Sequence, residues 1–367
     1  MDTGDTAWIL ASSALVLLMT PGLAFFYGGM VRAKSVLNMM MMSFLVMAIV
    51  PVLWVLYGYS MTFDDDILGG LLGGFGKVGL KGVTQDSLAG TLPEYVFIAF
   101  QLMFAIITVA LISGAIADRA KFLGWAAFVV VWVSIVYFPV AHWVFAFDGD
   151  DTKGGWIANN LGALDFAGGT AVHINAGAAG LALALVLGKR VGWKRDPMRP
   201  HNLPLVLLGA GLLWFGWYGF NAGSAVGANG LAGLAFVNTT VATGAAVLGW
   251  LLVEVIRDQK GTSLGAASGA VAGLVAITPA CAAISPLGSI FLGLFAGAVC
   301  ALAVGLKYKL GIDDSLDVVG IHLVGGIAGT LLIGFLATKG NAGVEGLLYG
   351  GDAGLLGKQA VAAGAVL

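Results

Sequence analysis

Charged residues are scarce in this sequence. Lysine, arginine, aspartate and glutamate together make up 10% of its 367 residues, whereas about a quarter of a typical soluble domain is charged. Water is therefore not the main solvent of this chain. The formal net charge of −2 also leaves no basic excess that would indicate a nucleic-acid partner.

Cysteine is nearly absent as well. The two cysteines, Cys281 and Cys300, lie in or beside apolar stretches and have no metal-type spacing. We interpret them as small apolar residues that fill space in the interior. The sequence gives no reason to expect a metal ion or another cofactor.

Long apolar runs are what the sequence has instead. Hydrophobic residues make up 59% of the chain, glycine contributes 57 residues, and the mean hydropathy is +0.94. Runs of about 20 apolar residues can cross a hydrocarbon core as helices. The sequence predicts an all-α polytopic membrane protein, and the acidic start Met-Asp-Thr-Gly-Asp indicates a retained first helix rather than a secretory signal. The ten predicted spans are 8–30, 36–61, 95–117, 123–145, 168–188, 203–223, 233–256, 263–280, 287–306 and 318–337.

The loops between these spans alternate in charge. Because basic loops stay in the cytoplasm, the basic side is predicted to be cytoplasmic, the N-terminus extracellular and the membrane the plasma (inner) membrane. The basic side holds 13 of the 18 basic residues, namely Arg32, Lys34, Arg119, Lys121, Lys189, Arg190, Lys194, Arg195, Arg199, Arg257, Lys260, Lys307 and Lys309. The opposite side holds most of the acids, including Asp64, Asp65, Asp66, Asp148, Asp150 and Asp151.

The last residues form a further apolar stretch. Ten spans leave residue 338 onward on the extracellular side, and from Lys358 the chain reads KQAVAAGAVL. Ten residues are too few to cross a membrane. We expect 338–367 to be an extracellular loop followed by the start of a truncated eleventh helix, and the alternative is a short interfacial tail.

Two histidine segments repeat along the chain. AGGTAVHINAGAAG surrounds His173, and DVVGIHLVGGIAG surrounds His322, at an offset of 149 residues. Four positions with informative residue types match at this one offset, which indicates an internal repeat. The matching pairs are Asp165 with Asp314, His173 with His322, Gly177 with Gly326 and Gly180 with Gly329.

The repeat predicts how the two halves are arranged. His173 falls in the fifth span and His322 in the tenth, so each half has five spans and the second half enters the membrane in the opposite sense. Many transporters have this inverted architecture, with the solute site near the midplane. We predict a first repeat at 1–188, a cytoplasmic basic loop at 189–202 and a second repeat at 203–337, with the histidines facing each other at a central pore. In the alternative, the histidines only hydrogen-bond across a helix interface.

The predicted spans have no charged residue at their centres. Glu94 and Glu254 fall at span ends, while Asp165 and Asp314 precede the histidine helices, where N-terminal capping is expected. An ammonium-sized ion moved into low dielectric costs on the order of 20 kcal/mol by the idealised Born estimate, and several after relaxation. Deprotonating an alkylammonium group at pH 7 costs only roughly 4.6 kcal/mol. Deprotonation is therefore the cheaper route, and two neutral imidazoles can bind ammonia and pass a proton.

Seven segments, spread in order through nearly the whole chain, have the pattern of a known family. They are PGLAFFYGG (21–29), AFQLMFAIITVALISGAIADR (99–119), GALDFAGGTAVHINA (162–176), WFGWYGFNAGSA (214–225), LAFVNTTVAT (234–243), GAVAGLVAITPAC (269–281) and DDSLDVVGIH (313–322). They resemble the Amt/Mep/Rh ammonium transporter family, in particular its bacterial Amt branch. The resemblance implies an ammonium transporter that forms a trimer with one pore per subunit, and that has eleven helices, an external N-terminus and a cytoplasmic C-terminal tail.

The resemblance also implies roles for individual residues. His173 and His322 match the family's paired pore histidines, Phe104 and Phe220 its stacked gate, and Ser224 the outer-vestibule serine that accepts a hydrogen bond from ammonium. The apolar lining around the histidines corresponds to Leu23, Leu111, Leu213, Trp217 and Val318. For the leucines and the valine, ordinary helix packing would look the same in sequence.

Phe145 departs from the family pattern. It stands in AHWVFAF, where many members carry tryptophan at the recruitment site. Phenylalanine offers a weaker cation–π face than tryptophan, so we expect a lower affinity for external ammonium. Trp143 could compensate only if the local backbone turned differently. Asp165 resembles the family's structural aspartate, and we expect it to support the vestibule loops.

Three alternatives differ from this reading. The chain could be an ammonium sensor or a Rh-type gas or amine channel. An intramembrane enzyme is disfavoured, since no HExxH sequence occurs and the histidines have no paired nucleophile. Family members also commonly bind a PII-type signalling protein, for which the basic loop GKRVGWKRDPMR (188–199) is a candidate; alternatively, its charges only set the orientation.

Overall fold

Helices make up most of the computed structural model, which describes residues 1–149 and 152–367. Asp150 and Asp151, two of the acids predicted on the extracellular side, lie outside the described residues. A small antiparallel hairpin pairs β1 (Leu88–Ala89) with β2 (Leu92–Pro93). The longer helices are α1 (Thr3–Met30), α2 (Ala33–Phe63), α3 (Glu94–Ile116), α4 (Phe122–Phe145), α5 (Gly169–Leu187), α6 (Leu203–Ala225), α7 (Gly230–Asp258), α8 (Ser263–Ile277), α9 (Pro286–Leu310), α10 (Val319–Leu336) and α11 (Gly354–Val366).

Within the described residues, nine helices are long and apolar enough to cross a membrane. They are 18 to 31 residues long, which corresponds to about 27 to 46 Å at ~1.5 Å per residue. A hydrocarbon core is about 30 Å thick. The predicted all-α polytopic membrane fold is therefore confirmed, and nine of the ten predicted spans match these helices to within a few residues at each end.

The eighth predicted span is shorter than expected. The sequence predicts 263–280, but α8 has 15 residues and ends at Ile277. Pro279 lies two residues beyond this end and cannot donate a backbone hydrogen bond, so the chain continues in turns. The side-chain amide of Asn238 on α7 donates to the carbonyl oxygens of Cys281 and Ile284, both at 2.8 Å. These bonds satisfy irregular backbone that is buried in the protein.

Glycine allows the backbones of neighbouring helices to approach each other closely. A Cβ atom on Gly209 of α6 would lie 2.3 Å from the backbone nitrogen of Phe26 in α1. A Cβ atom on Gly297 of α9 would lie 2.1 Å from the carbonyl oxygen of Ala246 in α7. Helices in lipid associate mainly through such van der Waals contact, which accounts for much of the glycine in the sequence.

The loops lie on two faces, named here by their predicted charge. The acidic face carries the α2–α3 loop (64–93) and the α4–α5 loop (146–168), and the basic face carries the loops 117–121 and 188–202. On the basic face, Arg190 is bound to the buried Asp313, with Nη2 at 2.8 Å from Oδ1. Burial alone raises the pKa of Asp313, but hydrogen bonds from Arg190 hold it below its ordinary value.

Acidic side chains hold the loops of the acidic face together. Asp65 accepts a hydrogen bond from the backbone N–H of Lys153 at 2.7 Å, which joins the two loops. His142 of α4 is buried, with Nδ1 2.8 Å from the carbonyl oxygen of Thr62 and Nε2 3.2 Å from Oδ1 of Asp66. Two other acids of this face, Asp64 and Asp148, line a cavity described below.

The last helix, α11, is fixed by a buried glutamine. Gln359 accepts a hydrogen bond from the backbone N–H of Leu164 at 2.7 Å and donates to the Leu164 carbonyl at 2.7 Å. It also donates to the Thr330 carbonyl of α10 at 3.1 Å. The helix thus packs beside the segment that leads into α5.

Candidate functional site

A capped, tightly turned segment positions the first histidine. Gly168 has a φ of 113°, which glycine adopts without strain, and a π-helical turn follows at Gly169–Ile174. The Asp165 carboxylate accepts hydrogen bonds from the backbone N–H groups of Gly168, Gly169 and Thr170 at 2.8, 2.7 and 2.8 Å. Removal from water raises the pKa of Asp165, and these hydrogen bonds oppose that rise. The cap fixes the turn that carries His173.

The second histidine has the same arrangement. Asp314 accepts from the backbone N–H of Val318 at 3.0 Å and of Val319 at 2.8 Å. A π-helical turn at Val319–Leu323 then carries His322. Burial, reinforced by a nearby aspartate, raises the pKa of Asp314 to about 6. In both halves a buried or half-buried carboxylate therefore precedes its histidine by eight residues and caps its helix.

The two histidines are in contact. His322 Nδ1 lies 3.3 Å from His173 Nδ1, and the ring centroids are 5.3 Å apart with an interplanar angle of 24°. Both side chains are buried. Nε2 of His173 is also buried and has no hydrogen-bond partner among the described residues. The pair thus presents an unpaired ring nitrogen within an otherwise apolar interior.

Aromatic rings connect this pair to the acidic face. His173 stacks on Trp217 at 5.4 Å and on Phe220 at 6.0 Å between ring centroids. Phe220 contacts Phe104, with ring centroids 4.4 Å apart and ring planes tilted by 33°, and both phenylalanines are buried. The Trp217 Nε1 donates to Thr278 Oγ1 at 2.9 Å. A continuous row of rings therefore runs from Phe104 to the histidines.

The predicted apolar lining is buried. Each of its members is at most 2% exposed, and they are Leu23, Leu111, Leu213, Trp217 and Val318. Val318 follows the Asp314 cap, and a Cβ atom on Gly114 would lie 2.8 Å from its side chain. For the leucines and Val318 the burial fits a pore lining and ordinary helix packing equally.

Two adjoining cavities open toward the acidic face. The inner cavity, about 110 Å³, contains the predicted recruitment residues Phe104, Phe145 and Ser224 in its lining. The outer cavity, about 600 Å³, also contains Phe145 in its wall. The residues shared by the two cavities are Phe97, Phe145, Phe147 and Val226. The structure therefore brings the three predicted recruitment residues to one place at the start of the ring row.

The predicted recruitment residues have a definite geometry. The Phe145 ring lies edge-on to Phe104, with centroids 6.2 Å apart at 72°. Ser224 Oγ donates to the Phe220 carbonyl at 2.7 Å, so its lone pairs are free to accept. Trp143 is elsewhere: its Nε1 donates to the Leu71 carbonyl at 2.8 Å in the α2–α3 loop. Trp143 is therefore not a substitute for a tryptophan at position 145.

Several cavity residues were not predicted from the sequence. Phe97 and Gln101 line the inner cavity together with Phe104. Their spacing of four and three residues puts them on one face of α3, a signal that could have been used. Lys77 and Glu94 line the outer cavity, but Lys77 lies in an irregular loop whose path the sequence pattern does not define.

A third cavity, about 420 Å³, opens on the basic face. Its wall includes Arg32 and Asp118, whose Nε and Oδ2 atoms are 3.0 Å apart. Leu316 and Asp317 also line it, next to the Val318 of the predicted pore lining. A cavity therefore opens near each face of the protein.

Neither a metal centre nor a serine-nucleophile site is evident in the described part of the chain. No three His, Cys, Asp or Glu side chains there converge on a metal site. One GxSxG sequence, GTSLG, occurs at 261–265. In the structure Thr262 caps α8 by accepting from Gly265 N–H at 2.8 Å. A turn between two helices is not the strand–turn–helix context that such a nucleophile requires.

Known proteins similar to this chain are ammonium transporters. The model of the Ammonium Transporter Family matches residues 7–367. The ammonium transporter of Mycobacterium tuberculosis (strain ATCC 25618 / H37Rv) is 64% identical over 391 residues, which cover 100% of this chain and 82% of that protein. That of Bacillus subtilis (strain 168) is 50% identical over 367 residues, covering 99% and 88%.

Solved structures agree with this result. The crystal structure of Saccharomyces cerevisiae Mep2 has a TM-score of 0.90 and 35% identity, covering 100% of this chain and 82% of that one. The structure of a protein named Sensor Amt Protein has a TM-score of 0.91 and 28% identity, covering 99% and 89%. The similarity therefore extends over the whole fold, including the two histidine segments.

Proposed function

The chain belongs to the ammonium transporter family, a class of multi-pass membrane transporters rather than enzymes, and we propose that it binds ammonium at its acidic face, deprotonates it and conducts ammonia past His173 and His322. The observation that carries this proposal is the uncharged row of rings between the inner cavity and the histidine pair.

Recruitment takes place in the inner cavity. An ammonium ion there meets the ring faces of Phe104 and Phe145 and the free lone pairs of Ser224. A cation over an aromatic ring gains about 0.5–1 kcal/mol when exposed and about 2 when desolvated. These contacts replace part of the hydration shell, and water in the open cavity retains the rest.

Phe104 and Phe220 form the gate behind this site. Their centroid separation of 4.4 Å leaves the rings in contact, and neither ring is more than 2% exposed. Ammonia passes only when the rings rotate apart. Beyond them the path has no fixed charge, so a neutral molecule is favoured over an ion by the Born cost of on the order of 20 kcal/mol before relaxation.

The histidines receive neutral ammonia, and the proton that ammonium releases at the inner cavity follows separately along the two imidazoles, so one positive charge crosses with each ammonium. A neutral imidazole has one donor and one acceptor nitrogen, and the unpaired Nε2 of His173 is available to ammonia or to a proton. Leu23, Leu111, Leu213, Trp217 and Val318 exclude water around the pair. The polar atoms of two rings are enough to bind ammonia weakly and release it toward the basic face.

The proposed function also has consequences for the repeats, the membrane orientation and the assembly of the protein. We propose that the two halves are inverted repeats at 1–188 and 203–337, which the matching Asp–His spacing and π-helical turns support. The basic face is cytoplasmic and the N-terminus extracellular in the plasma membrane, because 13 of the 18 basic residues lie on one side. We further propose a homotrimer with one such pore per subunit.

Purified protein in proteoliposomes tests the proposal. Saturable uptake of labelled methylammonium, with a current on addition of ammonium, is expected, and empty liposomes are the control. Uptake that does not saturate and carries no current would instead favour a Rh-type gas or amine channel. Uptake equal to that of empty liposomes would reject transport. Binding of ammonium without uptake would favour a sensor, the second candidate, for which the likeness to the Sensor Amt Protein is the supporting observation.

A further inference from the structure

A buried carboxylate and a lysine face each other in the wall of the outer cavity. Glu94 begins α3 and is 7% exposed. Its Oε1 accepts a hydrogen bond from Lys77 Nζ at 2.6 Å and from the Tyr59 hydroxyl at 2.8 Å. Lys77 Nζ also lies 5.6 Å from the centroid of the Tyr59 ring. The lysine ammonium group therefore has a carboxylate and an aromatic face as its partners.

These partners are the groups that bind a free ammonium ion. A carboxylate forms strong, short hydrogen bonds with a cationic N–H donor, and an aromatic face attracts a cation within about 6 Å of its centroid. The other carboxylate oxygen, Oε2, accepts no hydrogen bond from the described residues. Lys77 Nζ in turn has Glu94 as its hydrogen-bond partner among these residues.

On this basis we propose that Glu94 and Tyr59 form a second cation site, upstream of the inner cavity, which Lys77 occupies in this structure and which ammonium or methylammonium takes when Lys77 moves away. The inference rests on the proposed function and extends it, because the outer cavity joins the inner one through Phe145. Lys77 is thus a tethered competitor of the substrate.

The attachment of Lys77 to its loop determines how often the second cation site is open to ammonium. The Lys77 side chain is 36% exposed and lies on a loop, so it can swing into the cavity. A group held by a short flexible linker has an effective concentration on the order of millimolar. External ammonium below this range would seldom displace it, so the site loads mainly at high ammonium. Removing the lysine should expose the site at low concentrations as well.

The test compares two lysines of the same cavity. Lys153 also lines the outer cavity, but it pairs with Asp148, and that pair is exposed, with side chains 77% and 42% accessible. Lys77→Met and Lys153→Met remove the same charge from the same cavity, whereas only Lys77→Met vacates Glu94. Half-saturation of methylammonium uptake in proteoliposomes, and its inhibition by ammonium, are the measurements.

Lys77→Met is expected to lower both values by about threefold to tenfold, as loss of a competitor at millimolar effective concentration requires. Lys153→Met should change them by less than twofold, and Lys77→Met/Glu94→Gln should return to the wild-type values. Equal effects of the two lysine substitutions, or no effect of Lys77→Met, would overturn the second site.

Folding and transport are controlled separately. If Lys77→Met is not recovered as folded protein, Lys77→Gln replaces it, because its amide can still donate to Glu94 while leaving the carboxylate charge uncompensated. The same two outcomes then decide the question. Absence of uptake in the wild-type protein would count against the proposed function, whereas normal wild-type uptake with unaltered Lys77 variants would count against the second site alone.

Discussion

The Nδ1 atoms of His173 and His322 lie 3.3 Å apart and must share a single proton. If both rings are neutral, one donates through Nδ1 and has a bare Nε2, while the other accepts at Nδ1 and carries its proton on Nε2. The pair therefore offers one acceptor and one donor at its outer nitrogens. Transfer of the shared proton leaves both rings neutral when the accepting ring releases its Nε2 proton and the donating ring gains a proton at Nε2.

Replacing either histidine with alanine should therefore abolish or alter ammonium transport. The remaining Nδ1 loses its partner, at about 1–3 kcal/mol for a buried unsatisfied group, which should lower stability without preventing folding. Methylammonium uptake and current in proteoliposomes measure the effect, and elution as a single species checks the fold. His201→Ala is the matched control, because His201 lies in the basic-face loop with Nδ1 2.9 Å from the Val31 carbonyl oxygen. Wild-type uptake and selectivity in both His173→Ala and His322→Ala would contradict the prediction.

Local pattern predicts the spans and the histidine pair, but not the outer cavity. The spans follow from apolar length, and the pair follows from two Asp–His segments at one offset. The contact between Lys77 and Glu94 depends on the path of an irregular 30-residue loop, from 64 to 93. Side-chain contacts with another loop determine that path. The early end of α8 was readable in principle, because Pro279 marks it.

Removing the cap of α5 should disturb transport through His173. Asp165→Ala leaves the N–H groups of Gly168, Gly169 and Thr170 without their acceptor. Loss of an N-terminal cap lowers stability by about 0.5–2 kcal/mol, and the turn that holds His173 should become disordered first. A lower thermal unfolding midpoint and reduced uptake are expected. Asp258→Ala, an exposed residue paired with its neighbour Arg257, should change neither; equal loss in both variants would argue against a specific cap.

The exposed arginines of the basic loop are the expected contact for a PII-type signalling protein. Arg195 and Arg199 are exposed, whereas Arg190 is held by Asp313. Arg195→Glu/Arg199→Glu should therefore abolish pull-down of the organism's PII protein while preserving uptake. Lys34→Glu, an exposed basic residue on another loop of the same face, is the control for general charge. Failure of the wild-type protein to bind PII at any nucleotide or ammonium condition would leave orientation as the sole role of this loop.

Phe145→Trp should increase the affinity for external ammonium. Phe145 is half-buried between the two cavities and lies edge-on to Phe104, so a larger ring can extend into open space. Tryptophan provides a stronger cation–π face. The half-saturation concentration should fall, by up to about tenfold if the gain approaches 1.4 kcal/mol. If Phe145 only packs against its neighbours, folded yield should drop and half-saturation should stay the same.

Ser224→Ala should have the opposite effect on ammonium affinity. Ser224 lines the inner cavity, and its Oγ donates to the Phe220 carbonyl at 2.7 Å, which leaves the oxygen lone pairs free to accept from a cation there. A hydrogen bond to a charged donor contributes roughly 1.5–3 kcal/mol. Its loss should raise half-saturation about tenfold to a hundredfold, and less if water replaces the hydroxyl.

The chain contains a close control for this substitution. Ser13 of α1 is buried, and its Oγ donates to the Ile9 carbonyl at 2.7 Å, the same four-residue geometry as Ser224. Ser13→Ala removes an equivalent hydroxyl outside the inner cavity lining and should leave half-saturation unchanged. Ser224→Thr keeps the acceptor and should remain near wild type. Because alanine removes only one atom, a rise specific to Ser224→Ala reports the lost acceptor, whereas unchanged half-saturation at normal expression would exclude Ser224 from the recruitment site.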